Sequence, residues 1–291
     1  MTTAELTLTT QAERVPVSRF ALLWLLYRYA LVVLLAAVFV FPFVVMVTTA
    51  FKESDEIFRA PPELLPQHWT IEHFVQALTQ IPFWRFLINT VVISGLSVLG
   101  TLLAAPLVAY SLSKLRWPGR NVLFILVLAT MMLPPQVTLI PIYMMWNKVG
   151  ATGTILPLIV PAFLGTPFFI FLIRQFLMSV PGELIEAAKV DGASELRIYW
   201  SIVLPIARPA LITSAVFQFV WAWTDFLYPL IYLNDEDSYT LSIGLYSFLG
   251  EHGVQWGPLM AACVLFTLPA FVIFLVFQRY FIGGIATGAL K

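Results

Sequence analysis

Charge is scarce in this sequence, and cysteine is nearly absent. Asp, Glu, Lys and Arg supply 11% of the 291 residues, where soluble domains carry about 25%. The sixteen basic residues cancel the sixteen acidic ones, so no bulk field draws the chain to nucleic acid or to anionic lipid. A lone cysteine, Cys263, in an apolar run excludes a disulfide framework. The three histidines, His68, His73 and His252, lack metal-ligand spacing and read as solvated loop residues, leaving no metal site. No G-x-S-x-G elbow or H-E-x-x-H pair occurs. The one glycine cluster, GGIATGALK, fails the phosphate-loop pattern because Ala289 follows Gly288. The sequence thus offers no catalytic residues, no cofactor and no ATP-binding loop of its own. No internal repeat is visible, which disfavours inverted-repeat carriers.

What is plentiful is apolar surface. Hydrophobic residues make up 60% of the chain, with 24 Phe, 9 Trp and a mean hydropathy of +0.88. A helix crosses the hydrocarbon core with about 20 apolar residues, and six segments reach that length: 22–48, 86–112, 121–145, 155–177, 206–233 and 258–281. The expected fold is an all-α membrane protein of one domain over 1–291. The third and fourth spans carry Pro134, Pro135, Pro141, Pro157, Pro161 and Pro167, which predicts kinks that neighbouring groups must satisfy. Arg14, Arg19 and Arg28 precede an apolar run that continues to about Thr48 without a small-residue cleavage site, so the first span reads as a retained anchor.

The polar connections set the orientation. On the side of the termini lie Arg14, Arg19, Arg28, Lys114, Arg116, Arg120, Arg174, Lys189, Arg197, Arg208, Arg279 and Lys291. The other side holds Lys52, Arg59, Arg85 and Lys148. Twelve against four places both termini in the cytoplasm by the positive-inside rule. The two longer outward connections are 49–85, with a short helix expected from Thr70 to Leu78, and 234–257, which opens on Asp235, Glu236 and Asp237.

One cytoplasmic segment interrupts the apolar pattern between spans four and five, over 178–205. PGELIEAAKVDGASELRIYWSIVLP carries Glu183, Glu186, Lys189, Asp191, Glu195 and Arg197. Ser179 or Pro181 can open a helix whose acids sit near its positive end. Gly192 stops it after about two turns, and Ser194 can cap a second helix that runs toward Pro205. A helix of two turns is unstable alone in water. It must pack either under its own spans or on a partner, and Ala187 and Ala188 allow a close approach.

Glu186, Ala187, Ala188 and Gly192, followed by Ile202, Leu204 and Pro205, resemble the EAA loop of ABC importer permeases. LPPQVTLIPIY, PFFIFLIRQFLMSVP, TLSIGL and FQRYFIGGIATGALK are similar to the carbohydrate branch of that family, to subunits like the smaller permease of maltose transporters. The resemblance implies a six-span transmembrane subunit in a cytoplasmic (inner) membrane, with no enzyme activity of its own. It implies as partners two cytoplasmic ATPase subunits that bind ATP and Mg, a second related permease, an external solute-binding protein and the surrounding lipid. By position, it makes 178–205 a coupling loop. Glu186 would contact the ATPase, Ala187 and Ala188 would permit docking, Gly192 would supply the bend and Asp191 a cap. The tail Gly283–Lys291 is similar to tails that enter the ATPase interface.

A carboxylate inside the fifth span asks for its own account, since on insertion scales it costs about 2.5–3.5 kcal/mol. Gln218, Trp221, Asp225, Tyr228 and Tyr232 follow 3-4-3-4 steps, which predicts one helical face. Flat aromatics beside hydrogen-bonding groups suit a sugar lining a translocation path; helix–helix bonding is the other role open to Asp225. Thr224 stands where similar proteins often carry Asn. Asn89, Gln136, Thr138 and Gln175 are further path or interhelical candidates. The reading is an ATP-driven carbohydrate importer subunit working by alternating access. The alternatives are an ABC importer for a non-sugar polar solute and an ion-coupled secondary transporter with Asp225 as its ion site.

Overall fold

The computed structural model describes residues 19–250 and 253–288. Arg14, His252 and Lys291, and the end of the tail after Gly288, lie outside the described residues. The helices in chain order are α1 (Arg19–Ala50), α2 (Glu72–Thr79), α3 (Phe83–Ser113), α4 (Arg120–Met131), α5 (Pro135–Lys148), α6 (Leu156–Phe163), α7 (Pro167–Ser179) and α8 (Glu183–Val190). They continue as α9 (Glu195–Ile198), a π turn over Tyr199–Val203, α10 (Leu204–Ile206), α11 (Arg208–Thr224), α12 (Leu227–Tyr232), α13 (Leu241–Tyr246) and α14 (Trp256–Gly288). A two-residue hairpin, β1 (Leu249–Gly250) with β2 (Gly253–Val254), pairs Leu249 with Val254.

Among the described residues, four helices are long and apolar enough to cross a membrane: Leu23–Ala50, Phe83–Ser113, Leu156–Ser179 and Trp256–Arg279. Two bent pairs bring the number to six if each pair is one span. The expected third span, 121–145, is not one rod but α4 and α5, bent by 100°. The cause is Pro134–Pro135: the residue before a proline is driven out of the α region, and Pro134 sits at ψ 132. The segment Glu195–Ile206 meets α11 at 74° across Ala207, between Pro205 and Pro209.

Helix α3 is the axis of the bundle, packed by α6, α7 and α11, while α14 joins α11 to α1 and α2. Lipid is as apolar as leucine, so burial alone does not drive helices together in a bilayer; close packing of small residues does. The buried face of α3 has that form, with Thr90, Ser94, Ser97, Thr101, Ala105 and Ala109 at steps of three and four. At one end of the bundle a cluster of Tyr110, Leu112, Phe169, Ile173 and Leu177 closes over Ile185, Ala188, Ile198 and Tyr199. Most of α1, from Phe20 to Val45, is exposed.

The opposite end differs from expectation at His73. It is not a solvated loop residue: it lies on α2, 2% exposed, against Gly257. A β-carbon at Gly257 would fall 2.3 Å from the imidazole, so the absence of a side chain there makes room for the ring. Helix α2 starts at Glu72 rather than Thr70, though the Thr70 hydroxyl accepts from the Glu72 amide at 3.1 Å. His68 is the solvated histidine, paired with the buried Glu56 at 3.1 Å. Glu53, Glu56 and His68 bring their ligand atoms within 4.8 Å of one another. Asn89 donates to the carbonyls of Asp237 and Tyr239, and Arg85 pairs with Asp237, tying α3 to the 234–257 connection.

Candidate functional site

The first site is α8 and its surroundings. The helix begins at Glu183, later than Ser179 or Pro181, because Val180 is extended and the Ser179 hydroxyl is spent on the Phe176 carbonyl. Glu183 and Glu186 occupy its first turn and Lys189 its last, both favourable to the helix dipole. Its end is a Schellman closure: the Ala193 amide donates to the Ala188 carbonyl and the Gly192 amide to the Lys189 carbonyl, each at 3.0 Å. Gly192 has φ +77°, the left-handed region that the closure needs. Asp191 is the residue between helix and glycine, at φ −74° and ψ 4°. Ser194 then caps α9, accepting from the Arg197 amide at 3.4 Å.

One of the two sequence alternatives for this helix is met: it packs under its own spans. Ile185 and Ala188 are buried in the bundle end. Leu184, Ala187 and Val190 point outward at a spacing of three, and Val190 is 88% exposed. The two alanines therefore part: close approach at Ala188 is to this chain's own helices, and Ala187 alone faces out. Glu186 is exposed, 3.6 Å from Arg116, a contact of little energy in water.

A link missed from sequence joins this helix to the bundle axis. Glu195 Oε1 accepts from Lys189 Nζ at 2.6 Å, and Glu195 Oε2 accepts from the Tyr110 hydroxyl at 2.7 Å. The Lys189 and Tyr110 bonds hold the Glu195 carboxyl below its usual range, against an opposing effect of burial. The spacing Lys189–Glu195 spans the glycine turn, so no helical periodicity could have revealed it.

The second site lies at Asp225. The expected continuous face from Gln218 to Tyr232 is broken: α11 ends at Thr224, Asp225 is extended at ψ 124°, and α12 starts at Leu227. Pro229 is the cause, since proline excludes the helical carbonyl four residues before it, and that residue is Asp225. The freed Asp225 carbonyl accepts from the Ser242 hydroxyl at 2.6 Å. The Asp225 carboxylate caps the new helix, its Oδ1 accepting from the Tyr228 amide at 3.2 Å. Ser242 belongs to α13, whose residues Leu241–Gly244 are buried and whose Leu241 amide donates to Thr90 on α3 at 2.8 Å.

Gln218, Trp221 and Asp225 share a cavity of about 120 Å³ with Ile93, Leu158, Ala222 and Pro229. Tyr228 is not in its lining; it stacks on Tyr232 with ring centres 6.4 Å apart. Ligand pockets run to roughly 300–1,000 Å³, so a space of about 120 Å³ is too small to enclose a sugar ring. Of the further candidates, Asn89 is committed to the Asp237 and Tyr239 carbonyls, while on α5 Gln136 is exposed and Thr138 half-buried.

Residues 97–286 match the family described as binding-protein-dependent transport system inner membrane component. The chain is 34% identical over 260 residues to the arabinooligosaccharides transport system permease protein AraQ of Halalkalibacterium halodurans, covering 88% of this chain and 93% of that one. It is 32% identical over 264 residues to the trehalose/maltose transport system permease protein MalG of Thermococcus litoralis, covering 89% and 94%. Among solved structures, a chain of a bacterial ABC transporter involved in the import of the acidic polysaccharide alginate superposes with a TM-score of 0.80. That match covers 91% of this chain and 98% of the other at 23% identity, a likeness of fold.

Proposed function

The chain belongs to the family of binding-protein-dependent transport system inner membrane components, and from that membership we propose that it is the permease subunit of an ABC importer for a carbohydrate. Its six spans count each bent pair as one, and both termini are cytoplasmic. Two cytoplasmic ATPase subunits hold ATP and Mg, and one of them docks on α8. A second, related permease completes the path, and an external solute-binding protein delivers the sugar to the outward connections. Closure of the ATPase pair moves α8, α8 moves α3 and α11 through the bundle end, and the cavity opens outward; hydrolysis resets it.

The observation that carries this reading is the two-faced α8. A two-turn helix with Ile185 and Ala188 locked into its own bundle still presents Leu184, Ala187 and Val190 to the outside. Apolar side chains so exposed beside charged ones fit a surface that a partner covers. The carbohydrate class is supported by what the curated relatives' names state.

Reconstituting the assembled complex in proteoliposomes, with its binding protein and a panel of oligosaccharides, tests the proposal. Uptake should require ATP inside and persist when ion gradients are collapsed. Uptake that ignores ATP and stops with the gradient would establish the ion-coupled carrier instead. ATP-driven uptake of a non-sugar solute alone would overturn the carbohydrate assignment.

A further inference from the structure

Three membrane helices end around one basic cavity. It has a volume of about 810 Å³ and lies between the 113–120 turn, the end of α7 and the flank of α8. Its charged lining is Lys114, Arg116, Arg120 and Lys189 against Glu186 and Glu195, an excess of two positive charges. The acids are already engaged: Glu195 by Lys189 and Tyr110, Glu186 by Arg116. Among the described residues Lys114 and Arg120 form no ion pair, although both are half-buried.

Their hydrogen bonds leave donors to spare. Lys114 Nζ gives one bond to the Val180 carbonyl at 2.6 Å, and Arg120 gives one to the Leu115 carbonyl at 2.7 Å. An ammonium has three donors and a guanidinium five. The local charge is also uncompensated: burial pushes the Lys114 ammonium below its usual range, and Arg174 on α7 repels Arg120. A cation that is desolvated and crowded by like charge is stabilised by an anion. Ser113, Arg120 and Ser179 bound apolar helices, so the cavity lies at the depth of lipid headgroups. Basic pockets between spans at such a boundary hold phosphate headgroups.

We propose that this cavity is a phosphate-binding site beside the coupling helix, its ligand a phosphate group carried by an anionic membrane lipid or free in solution. Lys114 and Arg120 are its principal ligands, and Arg116 joins them when Glu186 turns to the ATPase. The site would tie anionic phosphate to the position of α8, a control separate from sugar recognition.

The test uses the assembled transporter, extracted from membranes containing phosphatidylglycerol and examined by native mass spectrometry. Lys114→Gln/Arg120→Gln removes both charges while keeping a donor for each carbonyl. Lys148→Gln, on the other side of the charge count, is the control. The wild type and the control should retain phosphatidylglycerol that the double variant loses, with binding on the order of tenfold or more weaker. A second arm measures radiolabelled inorganic phosphate on the delipidated complex. Phosphate bound by the wild type and not by the double variant, without lipid retention, assigns the source to solution. Equal retention of lipid and equal binding of phosphate by both proteins would overturn the site, as would equal loss in the control. Neither readout requires transport, so failure here is separable from failure of the import reading.

Discussion

The Tyr110 hydroxyl, on the central helix, donates to Glu195 Oε2 at 2.7 Å across 85 residues of sequence. The other oxygen of the same carboxylate takes the ammonium of Lys189, from the last turn of α8. The exposed helix is thereby joined to the bundle axis by polar bonds as well as by the packing of Ile185 and Ala188. In the proposed importer, force applied at Ala187 reaches α3 along this route.

Tyr110→Phe removes one bond and leaves the ring in place. Glu195 is about half exposed, so the loss should be about 1 kcal/mol. The complex should assemble, while sugar moved per ATP hydrolysed falls. The pH dependence has a fixed sign. Glu195 is held below its usual range, so its contribution is full at neutral pH and is lost as pH drops through its folded value. Protease nicking between Val190 and Ser194 should therefore rise in acid, not in base, and Glu195→Gln should abolish the change.

Gly192→Ala places a β-carbon at φ +77° with no atom within 4 Å to obstruct it. The cost is the backbone's alone, about 1–2 kcal/mol. Thermal unfolding should shift by a few degrees, with a larger loss of coupled transport, and Gly192→Asn should recover part of both because Asn tolerates this conformation.

Ser242→Ala leaves the Asp225 carbonyl without its donor at a proline-broken turn. The expected penalty is about 1–3 kcal/mol, read as a lower unfolding temperature of the complex, and Ser242→Thr should restore it.

At Asp225 the charge and the cap can be separated. Asp225→Asn keeps an acceptor for the Tyr228 amide but removes the charge; Asp225→Ala removes both. If the carboxylate serves the path, both variants lose transport while assembly is kept. If it serves only the turn, Asp225→Asn transports normally.

Several of these relationships were legible in the sequence. The Glu186–Gly192 spacing locates the helix and its left-handed stop, and Ser194 marks the cap of the helix that follows, because glycine and serine act through local backbone geometry. The assignment of connections to two sides keeps together residues that do meet: Lys114 reaches Val180, Arg116 reaches Glu186, and Arg85 reaches Asp237. The break at Asp225 was also written there, in Pro229 four residues on, but a periodicity that ignores proline reads through it. His73 could not be placed, since its burial depends on Gly257, 184 positions away. The inward turn of Ala188 depends in the same way on Tyr110 and Leu177, which only the folded bundle brings to it.

The central claim is that the outward face of α8 receives the ATPase, and Ala187 tests it most directly. Ala187 is exposed and Ala188 is 8% exposed. Ala187→Trp should therefore leave the membrane subunit folded, whereas Ala188→Trp should disrupt the bundle end. The measurement is the amount of ATPase subunit that co-purifies with tagged Ala187→Trp, scored against unchanged recovery of the membrane subunit and its partner permease. The account predicts loss of the ATPase with the membrane pair intact. Full recovery of the ATPase together with normal ATP-driven uptake would contradict it.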